Sequence, residues 1–223
     1  MFLVLFDCDG TLVDSQKTIV ACMTNAFQGN GFDPPSRERI LSIVGLSLMT
    51  AVARLAPDFA PAQIELVAQT YKAGFYRMRT DPAFDEPLFA GAAALIDRLS
   101  GRDDILLGIA TGKSIRGVDH LLQKHGWEGR FATIQTADTN PSKPHPAMVL
   151  NAMRDTGIDA RRCVLVGDTT YDMEMARDAG AGAIGVSWGY HPQDHLRDAG
   201  ADHVLHHFDD LLPHLETRWR KAM

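Results

Sequence analysis

The feature that most constrains the fold is a set of short, strongly apolar segments bounded by polar or glycine-rich sequence. The first covers residues 2–6 and stops at Asp7-Cys8-Asp9, and similar segments cover residues 105–110, 163–166 and 183–186. Apolar runs of this length without polar alternation are typical of strands buried on both faces. Strands of that kind belong to parallel sheets whose two faces are covered by helices.

The connections between these segments have the spacing of amphipathic helices. Apolar side chains recur at helical intervals within residues 115–122 and 148–153, and again near the end of the chain within residues 208–219. The alternation of strand and helix predicts an α/β fold with a Rossmann-like parallel sheet and right-handed crossovers. We expect the last helix to pack on this sheet rather than to bind a partner.

Residues 15–87, between the first two strands, have a different character. They contain no convincing strand, and helical spacing occurs within residues 19–27 and 64–75. Polar linkers around residues 14–16 and 80–87 flank the segment, and prolines in the second linker prevent a helix from continuing through it. The sequence therefore predicts a helical insertion over residues 15–87 in an α/β core formed by residues 1–14 and 88–223.

Composition and charge exclude several classes of protein. The 223 residues are 45% hydrophobic and 22% charged, which is typical of a globular protein and not of a disordered or coiled-coil chain. Lysine and arginine number 22 against 28 aspartate and glutamate residues, and the net charge of −6 disfavours nucleic acid as a partner. No apolar run is long enough to span a membrane, and three cysteines without disulfide spacing predict buried thiols in a cytoplasmic protein.

Polar side chains that can carry chemistry follow the ends of the predicted strands. They are Asp7, Asp9, Thr111, Asp168 and Asp172. The carboxyl ends of parallel strands meet at one edge of the sheet, where such folds bind ligands. Because converging carboxylates repel one another, the site requires a cation, and its oxygen ligands favour Mg²⁺ over zinc.

Further features predict a site for a phosphoryl group. Lys143 lies in a proline-rich sequence that restricts its backbone, and its ammonium group can neutralise a phosphate. The hydroxyl of Thr111 and the backbone N–H groups of residues 9–11 supply hydrogen-bond donors. Beside Mg²⁺, the carboxylate of Asp7 is a candidate nucleophile that would form an aspartyl-phosphate. Asp9 would protonate the leaving alkoxide and then take a proton from the attacking water.

The sequence resembles the haloacid dehalogenase-like hydrolases in four motifs that occur in order along the chain. They are Asp7-x-Asp9-Gly10-Thr11-Leu12-Val13-Asp14-Ser15, Thr111-Gly112, Lys143-Pro144 and Gly167-Asp168-x-x-x-Asp172. The resemblance covers essentially the whole chain, and it points to the branch of the phosphoglycolate phosphatases. It implies that the helical insertion is a mobile cap.

The resemblance also implies a role for each motif residue. Asp7 corresponds to the nucleophile and a metal ligand, and Asp9 to the acid/base, which also binds the metal through its backbone carbonyl. Thr111 corresponds to the residue that binds the phosphoryl group, and Lys143 to the residue that neutralises its charge. Asp168 corresponds to a metal ligand and Asp172 to an outer carboxylate of the metal site. The remaining predicted contacts to substrate or phosphate are Gly10, Thr11, Gly112 and the cap residues Gly45, Leu46 and Ser47.

Several residues also have simpler interpretations. Lys113 is expected to face solvent, Asp172 also fits the first turn of a helix, and Gly45 also fits an ordinary turn between helices. The nine histidines lack the spacing of a zinc site, so we interpret them as surface or packing residues. The cap also contains cations that are candidate contacts for a carboxylate or second phosphate of the substrate: Arg37, Arg39, Arg54, Lys72, Arg77 and Arg79.

Together these features predict a Mg²⁺-dependent phosphatase that hydrolyses a small, phosphoglycolate-like phosphomonoester beneath a cap that excludes bulk water. A phosphomutase of the β-phosphoglucomutase type and an inorganic pyrophosphatase would use the same core and are alternatives. A phospho-aspartate signalling domain is disfavoured because such domains are shorter and lack a helical insertion, and the acidic metal site disfavours dehalogenation. The expected partner is a small phosphorylated metabolite, and the sequence is compatible with a monomer or a dimer.

Overall fold

The computed structural model describes residues 1–78 and 84–222, and its centre is a six-stranded sheet in which all neighbouring strands are parallel. The strands are β1 (Phe2–Phe6), β2 (Ile105–Thr111), β3 (Phe131–Thr136), β4 (Cys163–Gly167), β5 (Gly182–Val186) and β6 (His203–Leu205). Their spatial order is β3-β2-β1-β4-β5-β6. This order confirms the predicted Rossmann-like α/β core.

The α-helices divide into a group between β1 and β2 and a group that accompanies the later strands. The first group is α1 (Gln16–Gln28), α2 (Arg37–Leu41), α3 (Leu48–Leu55) and α4 (Pro61–Met78). The second group is α5 (Ala92–Ser100), α6 (Ile115–His125), α7 (Ala147–Thr156), α8 (Thr170–Asp178), α9 (Gln193–Asp198) and α10 (Leu211–Ala222). The helical segments predicted from apolar spacing correspond to α1, α4, α6, α7 and α10.

Two apolar clusters, one on each face of the sheet, form the core. Val4 and Phe6 belong to one cluster, and Leu3 and Leu5 belong to the other. The division arises because successive side chains of a strand point to opposite faces of the sheet. All four side chains are fully buried, which explains why the segment lacks polar alternation.

Helix α10 packs against the sheet, as its apolar spacing predicts. Leu211, Leu215 and Trp219 are buried in the same apolar cluster as Phe6. The indole of Trp219 stacks on the ring of Phe2, with the ring centroids 3.9 Å apart. The last helix is therefore part of the core.

The two outermost strands, β3 and β6, are not predicted from the sequence. Strand β3 includes the polar residues Thr133, Gln135 and Thr136, and β6 is three residues long. Each lies at an edge of the sheet and pairs with a single neighbouring strand. Edge strands therefore need not have the continuous apolar run that marks the central strands.

The segment between β1 and β2 packs around its own apolar cluster. Helix α4 packs against both α1 and α3, and the cluster includes Met23, Ile40, Val52 and Val67. Among residues 15–78 and 84–87 the structure contains helices and turns but no strand. These findings support the predicted helical character of the cap.

The chain enters and leaves the cap through two adjacent segments. The backbone N–H of Asp14 donates to the Pro87 carbonyl at 2.8 Å, and the N–H of Phe89 donates to the Leu12 carbonyl at 3.0 Å. This pairing is compatible with the predicted boundaries at residues 14 and 88, and the division into two domains stays a prediction. Residues 79–83, part of the predicted exit linker, lie outside the described residues.

The cysteines have the role predicted from their number and spacing. Cys8, Cys22 and Cys163 are buried and unpaired. Burial raises the pKa of the Cys163 thiol to about 12, which keeps it protonated at neutral pH. In the part of the chain that the structure describes, no helix combines the length and apolar character needed to cross a membrane.

Candidate active site

The candidate site lies where the order of the strands reverses at the centre of the sheet. Strands β1 and β4 are neighbours there, so Asp7, Asp168 and Asp172 converge at the carboxyl ends of these strands. One oxygen of each carboxylate lies within 4.8 Å of the others, and all three side chains are buried. Among the described residues, this is the one group of candidate metal ligands, and it contains no histidine.

Asp7 has one carboxylate oxygen that is held by the protein and one that is not. Its Oδ1 atom accepts a hydrogen bond from the Cys8 backbone N–H at 2.7 Å and lies 3.1 Å from Lys143 Nζ. Its Oδ2 atom is buried and has no hydrogen-bond partner within residues 1–78 and 84–222. Burial raises the pKa of Asp7 to about 6, and the negative charge of Asp172 contributes to the increase. The positive charge of Lys143 lowers the pKa but does not cancel the effect of burial.

Asp168 is held by two hydrogen bonds from distant parts of the chain. Its Oδ1 atom accepts from the Thr11 hydroxyl at 2.9 Å, and its Oδ2 atom accepts from the Tyr190 backbone N–H at 2.9 Å. Burial raises the pKa of Asp168 well above its usual value, and the negative charges of Asp172 and Asp7 raise it further. The carboxylate is thus fixed in place in a setting that penalises its charge.

The turn after β1 supports Asp168, and two of its N–H groups have partners within the turn. The N–H of Gly10 donates to the Val13 carbonyl at 2.9 Å, and the N–H of Thr11 donates to the Cys8 carbonyl at 3.2 Å. A Cβ atom on Gly10 would lie only 2.2 Å from Asp168 Oδ2. This geometry gives Gly10 and Thr11 a structural role beside Asp168, and their contact with phosphate stays a prediction.

Lys143 is the cation of the carboxylate cluster. Its side chain is fully buried, and Nζ lies 3.1 Å from Asp7 Oδ1 and 2.6 Å from Asp172 Oδ1. Although burial lowers the pKa of Lys143, the Asp172 and Asp7 carboxylates raise it above its usual value. Lys143 therefore remains charged and is not a solvated loop residue. The peptide bond between Lys143 and Pro144 is cis.

Asp172 has both a structural contact and a contact within the cluster. Its Oδ2 atom accepts from the Thr169 N–H at 3.1 Å and from the Thr169 hydroxyl at 2.7 Å. The Asp172 N–H in turn donates to the Thr169 hydroxyl oxygen at 3.3 Å, and the two backbone N–H bonds form a capping box at the start of α8. Its Oδ1 atom accepts from Lys143. Asp172 therefore both caps the start of helix α8 and lies within the carboxylate cluster, and each of its two oxygens has a donor. Its place in a metal site stays a prediction.

The carboxylate cluster fits a divalent metal ion. Three buried carboxylates face one ammonium group, so the cluster has an excess of negative charge. Hard divalent cations take oxygen ligands of this kind. A cation would satisfy the unpartnered Asp7 Oδ2 atom and would offset the repulsion that raises the pKa values of Asp7 and Asp168.

The Asp9 side chain lies outside this cluster and pairs with Lys113. The Lys113 Nζ atom donates to Asp9 Oδ1 at 2.7 Å, lies 3.7 Å from Glu86 Oε2 and stands 5.2 Å from the centroid of the Phe75 ring. The Lys113 side chain is 7% exposed, so the prediction that it faces solvent is wrong. Local spacing misses this contact because the attracting carboxylate belongs to the neighbouring strand end.

A cavity of about 890 Å³ lies between the sheet edge and helices of the predicted cap. Predicted site residues that line it are Asp7, Asp9, Thr111, Gly112, Gly45, Leu46 and Ser47. Other predicted site residues lie behind this lining, namely Gly10, Thr11, Lys143, Asp168 and Asp172. The structure thus separates residues that can touch a ligand in the cavity from residues that hold the carboxylate cluster.

The cap segment Gly45–Ser47 is docked against two loops of the core. The Ser47 N–H donates to the Ser142 hydroxyl at 2.8 Å, directly beside Lys143. A Cβ atom on Gly112 would lie 2.5 Å from the Gly45 carbonyl oxygen and 2.8 Å from the Leu46 carbonyl oxygen. The segment is also the predicted turn between helices, since Gly45 has a φ of 96°.

The cap cations divide into two sets. Lys72 and Arg77 line the cavity. Three others bond to protein groups elsewhere: Arg37, Arg39 and Arg54. Arg79 lies outside the described residues.

The loop after β5 is a part of the site that the sequence interpretation missed. Tyr190 donates its backbone N–H to Asp168, and its hydroxyl accepts from the Ser15 N–H at 3.0 Å. A Cβ atom on Gly189 would lie 2.1 Å from Asp168 Cβ. The signal was present, because the apolar run at residues 183–186 ends at the same sheet edge as the motif strands.

Comparisons with known proteins identify the family of the chain. The family described as haloacid dehalogenase-like hydrolase matches residues 4–186. A probable phosphatase IndB from Dickeya dadantii is 34% identical over 213 residues, which is 94% of this chain and 91% of that protein. An N-acetylmuramic acid 6-phosphate phosphatase from Pseudomonas aeruginosa is 29% identical over 217 residues, which is 96% of this chain and 94% of that protein. A phosphoglycolate phosphatase from Synechococcus elongatus is 31% identical over 209 residues, covering 94% of each.

A solved structure supports the same assignment. The crystal structure of a hydrolase from Pseudomonas syringae matches with a TM-score of 0.84 and 26% identity, covering 97% of this chain and 99% of that chain. The family match spans most of the chain, and relatives named phosphatases confirm the predicted enzyme class, a hydrolase of phosphoric monoesters. The chain therefore belongs to the haloacid dehalogenase-like hydrolases, in the branch that contains the phosphoglycolate phosphatases and related phosphatases.

Proposed function

We propose that this protein is a Mg²⁺-dependent phosphatase that hydrolyses a small phosphomonoester through an aspartyl-phosphate on Asp7. One observation carries the proposal: Asp7 lines the cavity, lies 3.1 Å from the Lys143 ammonium group and retains an oxygen without a hydrogen-bond partner in the described chain. A carboxylate held in this way can form a bond to phosphorus while its environment balances the charge.

The proposed Mg²⁺ ligands are the carboxylates of Asp7 and Asp168 and the backbone carbonyl of Asp9. Asp172 belongs to the outer part of the site, because Lys143 and Thr169 occupy its two oxygens. When bound, Mg²⁺ would neutralise the carboxylates and polarise the phosphoryl oxygens. Lys143 keeps Asp172 and Asp7 at a fixed separation with its buried ammonium group.

Each protein group then has a defined task in the reaction. Thr111 binds the phosphoryl group while it passes from the substrate oxygen to Asp7, and the charge of Lys143 neutralises it from behind the cavity lining. Asp9 gives its proton to the departing oxygen. The ionised Asp9 next takes a proton from a water molecule. That water attacks phosphorus, which breaks the bond to Asp7 and releases inorganic phosphate.

The helical segment over residues 15–87 is proposed as a cap domain on a core of residues 1–14 and 88–223. Its docked segment Gly45–Ser47 would contact substrate and help to exclude water from the reacting groups. A cytoplasmic location is also proposed, and the buried, unpaired thiols support it.

The proposal is tested by measuring phosphate release from a panel of phosphorylated metabolites, with Mg²⁺ and with chelator. Activity should require Mg²⁺. Asp7→Asn should lower kcat by at least about 10⁴-fold, because the amide keeps the shape of the side chain but is not a nucleophile. The matched control is Asp103→Asn. Asp103 is exposed on the surface of the α/β core, so this variant should keep wild-type rates. Mg²⁺-dependent turnover by Asp7→Asn near the wild-type rate would rule out Asp7 as the nucleophile.

The role of Asp9 is tested with two leaving groups. Asp9→Asn should slow hydrolysis of an alkyl phosphate more than hydrolysis of an activated aryl phosphate, since the aryl oxygen leaves without protonation. Wild-type rates with both compounds would remove Asp9 from the proton transfer.

Inorganic pyrophosphatase activity is the second candidate function. A relative named pyrophosphatase PpaX, from Bacillus pumilus, is 31% identical over 212 residues and supports this candidate. A higher kcat/KM for pyrophosphate than for every phosphomonoester in the panel would favour it. A phosphomutase of the β-phosphoglucomutase type would need a bisphosphate activator, and phosphate release without one would exclude that alternative.

A further inference from the structure

Four cations and three carboxylates line the cavity. The cations that line it are Lys72 and Arg77 of α4, Lys113 after β2, and Arg116 of α6. The phosphoryl group would instead lie at the carboxylate cluster, where Lys143 already supplies a cation. The carboxylates of the lining are Asp7, Asp9 and Asp138, so the cations outnumber them by four to three. In a chain with a net charge of −6, this local excess of cations favours a second anionic group on the ligand.

The cavity is also larger than a two-carbon leaving group needs. Its volume of about 890 Å³ is within the range of roughly 300–1,000 Å³ that is typical of sites for drug-sized ligands. Its walls on the cap side are largely apolar and include Met23, Val44, Tyr71 and Phe75. A ring-sized leaving group with an apolar face would fill this space better than glycolate.

Lys113 is the cation best placed to bind a second anionic group. Its side chain is 7% exposed and lines the cavity, so its charge acts in a weakly screened environment. An ammonium group has three donors, of which Asp9 Oδ1 takes one at 2.7 Å. Glu86 Oε2, at 3.7 Å, is beyond hydrogen-bond distance. Lys113 can therefore donate to an anion in the cavity without releasing Asp9.

We propose that the leaving group of the substrate is ring-sized and carries a second anionic group, a carboxylate or a phosphate, which Lys113 binds. The inference rests on the proposed phosphatase function and makes Lys113 a specificity-determining residue. Phosphoglycolate has the carboxylate but not the ring. The preferred substrate is then a phosphorylated sugar acid or a sugar bisphosphate rather than phosphoglycolate.

The test compares compounds that separate size from charge. Glycerol 2-phosphate has a small, neutral leaving group, and phosphoglycolate has a small one with a carboxylate. N-acetylglucosamine 6-phosphate has a neutral ring, and N-acetylmuramic acid 6-phosphate has the same ring with an added lactyl carboxylate. Glucose 1,6-bisphosphate carries a second phosphate. The kcat/KM for the ring acid should exceed that for the neutral ring by about tenfold or more, the effect of one charge-assisted hydrogen bond, and should exceed that for phosphoglycolate.

Lys113→Met tests the assigned residue through a ratio of rates. In both amino-sugar phosphates the P–O bond to the 6-oxygen breaks, and this oxygen leaves as the hydroxyl group of the sugar. Any effect of the substitution on Asp9 therefore cancels in the ratio of their kcat/KM values. That ratio should fall by about tenfold in Lys113→Met. The matched control is Lys124→Met on α6, because Lys124 pairs with Asp85 and does not line the cavity. Its ratio should equal that of the wild type.

The outcomes distinguish failure of this inference from failure of the proposed function. A higher kcat/KM for glucose 1,6-bisphosphate than for N-acetylmuramic acid 6-phosphate would support the same proposal and would identify the second anion as a phosphate. The inference is overturned if N-acetylglucosamine 6-phosphate has the same kcat/KM as both ring compounds with a second anion, or if phosphoglycolate has the highest kcat/KM. It is also overturned if Lys113→Met leaves the ratio of the two amino-sugar phosphates unchanged. No phosphate release from any of these compounds or from p-nitrophenyl phosphate would overturn the proposed function, and the inference with it.

Discussion

Replacing Gly112 by alanine would place a methyl group in the contact between the cap and the core. The new Cβ atom would lie 2.5 Å from the Gly45 carbonyl oxygen and 2.8 Å from the Leu46 carbonyl oxygen. Both are backbone atoms, so no side-chain rotation can relieve the overlap. The φ angle of Gly112 is not positive, so alanine is compatible with the backbone at residue 112 itself. The substitution therefore acts on the position of the cap segment.

The size of the displacement follows from the contact distances. Ordinary van der Waals contact begins at 3.4 Å, so the carbonyl oxygen of Gly45 must move away by about 0.9 Å and that of Leu46 by about 0.6 Å. A misplacement of about 1 Å in groups that position a substrate can lower the rate by about 100-fold. We expect Gly112→Ala to lower kcat/KM by this factor, which corresponds to about 2.7 kcal/mol of transition-state stabilisation.

The assay is steady-state phosphate release, with thermal unfolding measured in parallel. The matched control is Gly74→Ala in α4, where the nearest atom to the new Cβ is Cys22 Sγ at 4.0 Å. That change should stabilise the protein by about 0.5–1 kcal/mol, because alanine favours a helix over glycine, and should leave kcat/KM unchanged. If Gly112→Ala retains kcat/KM within about threefold of the wild type, the docked position of Gly45–Ser47 is not required for catalysis.

Three further substitutions test other parts of the structure. In metal-free protein, the pKa of Asp7 is raised from 3.8 to about 6, so the folded state binds this proton more tightly and stability falls as pH rises through about 6. In chelator at pH 7.5, the free energy of unfolding of Asp7→Asn should then exceed that of the wild type by up to about 3 kcal/mol, and this difference should vanish below about pH 4. A difference in urea denaturation that does not change with pH would contradict this reasoning. Thr169→Val removes the cap of α8 and a donor to Asp172, and should cost about 1–3 kcal/mol of unfolding free energy, whereas Thr169→Ser should cost less; equal losses would show that the hydroxyl is unimportant. Trp219→Ala should cost about 3–5 kcal/mol through loss of the stack on Phe2, and Trp219→Phe should retain most of the stability; similar denaturation midpoints for Trp219→Ala and wild type would refute the core role of α10.

Much of the fold follows from local sequence patterns. Residues 2–6 and 163–166 are apolar without polar alternation. A strand needs apolar side chains at every position when both of its faces are covered. Once the two segments are parallel neighbours, Asp7 and Asp168 necessarily meet at the carboxyl edge of the sheet. The helical insertion is equally local, because the spacing of its apolar residues records which faces are buried.

Tertiary structure alone decided which partners the polar side chains bind. Lys113 and Asp9 are 104 residues apart, and Thr11 and Asp168 are 157 residues apart, so no local pattern specifies either hydrogen bond. Lys113 is buried because an adjacent strand ends in a carboxylate. The Thr11 hydroxyl donates to Asp168 because the strands that precede the two residues, β1 and β4, are parallel neighbours. Burial of apolar residues can be inferred from spacing within one segment, whereas the choice among polar partners depends on which strand ends the completed sheet brings together.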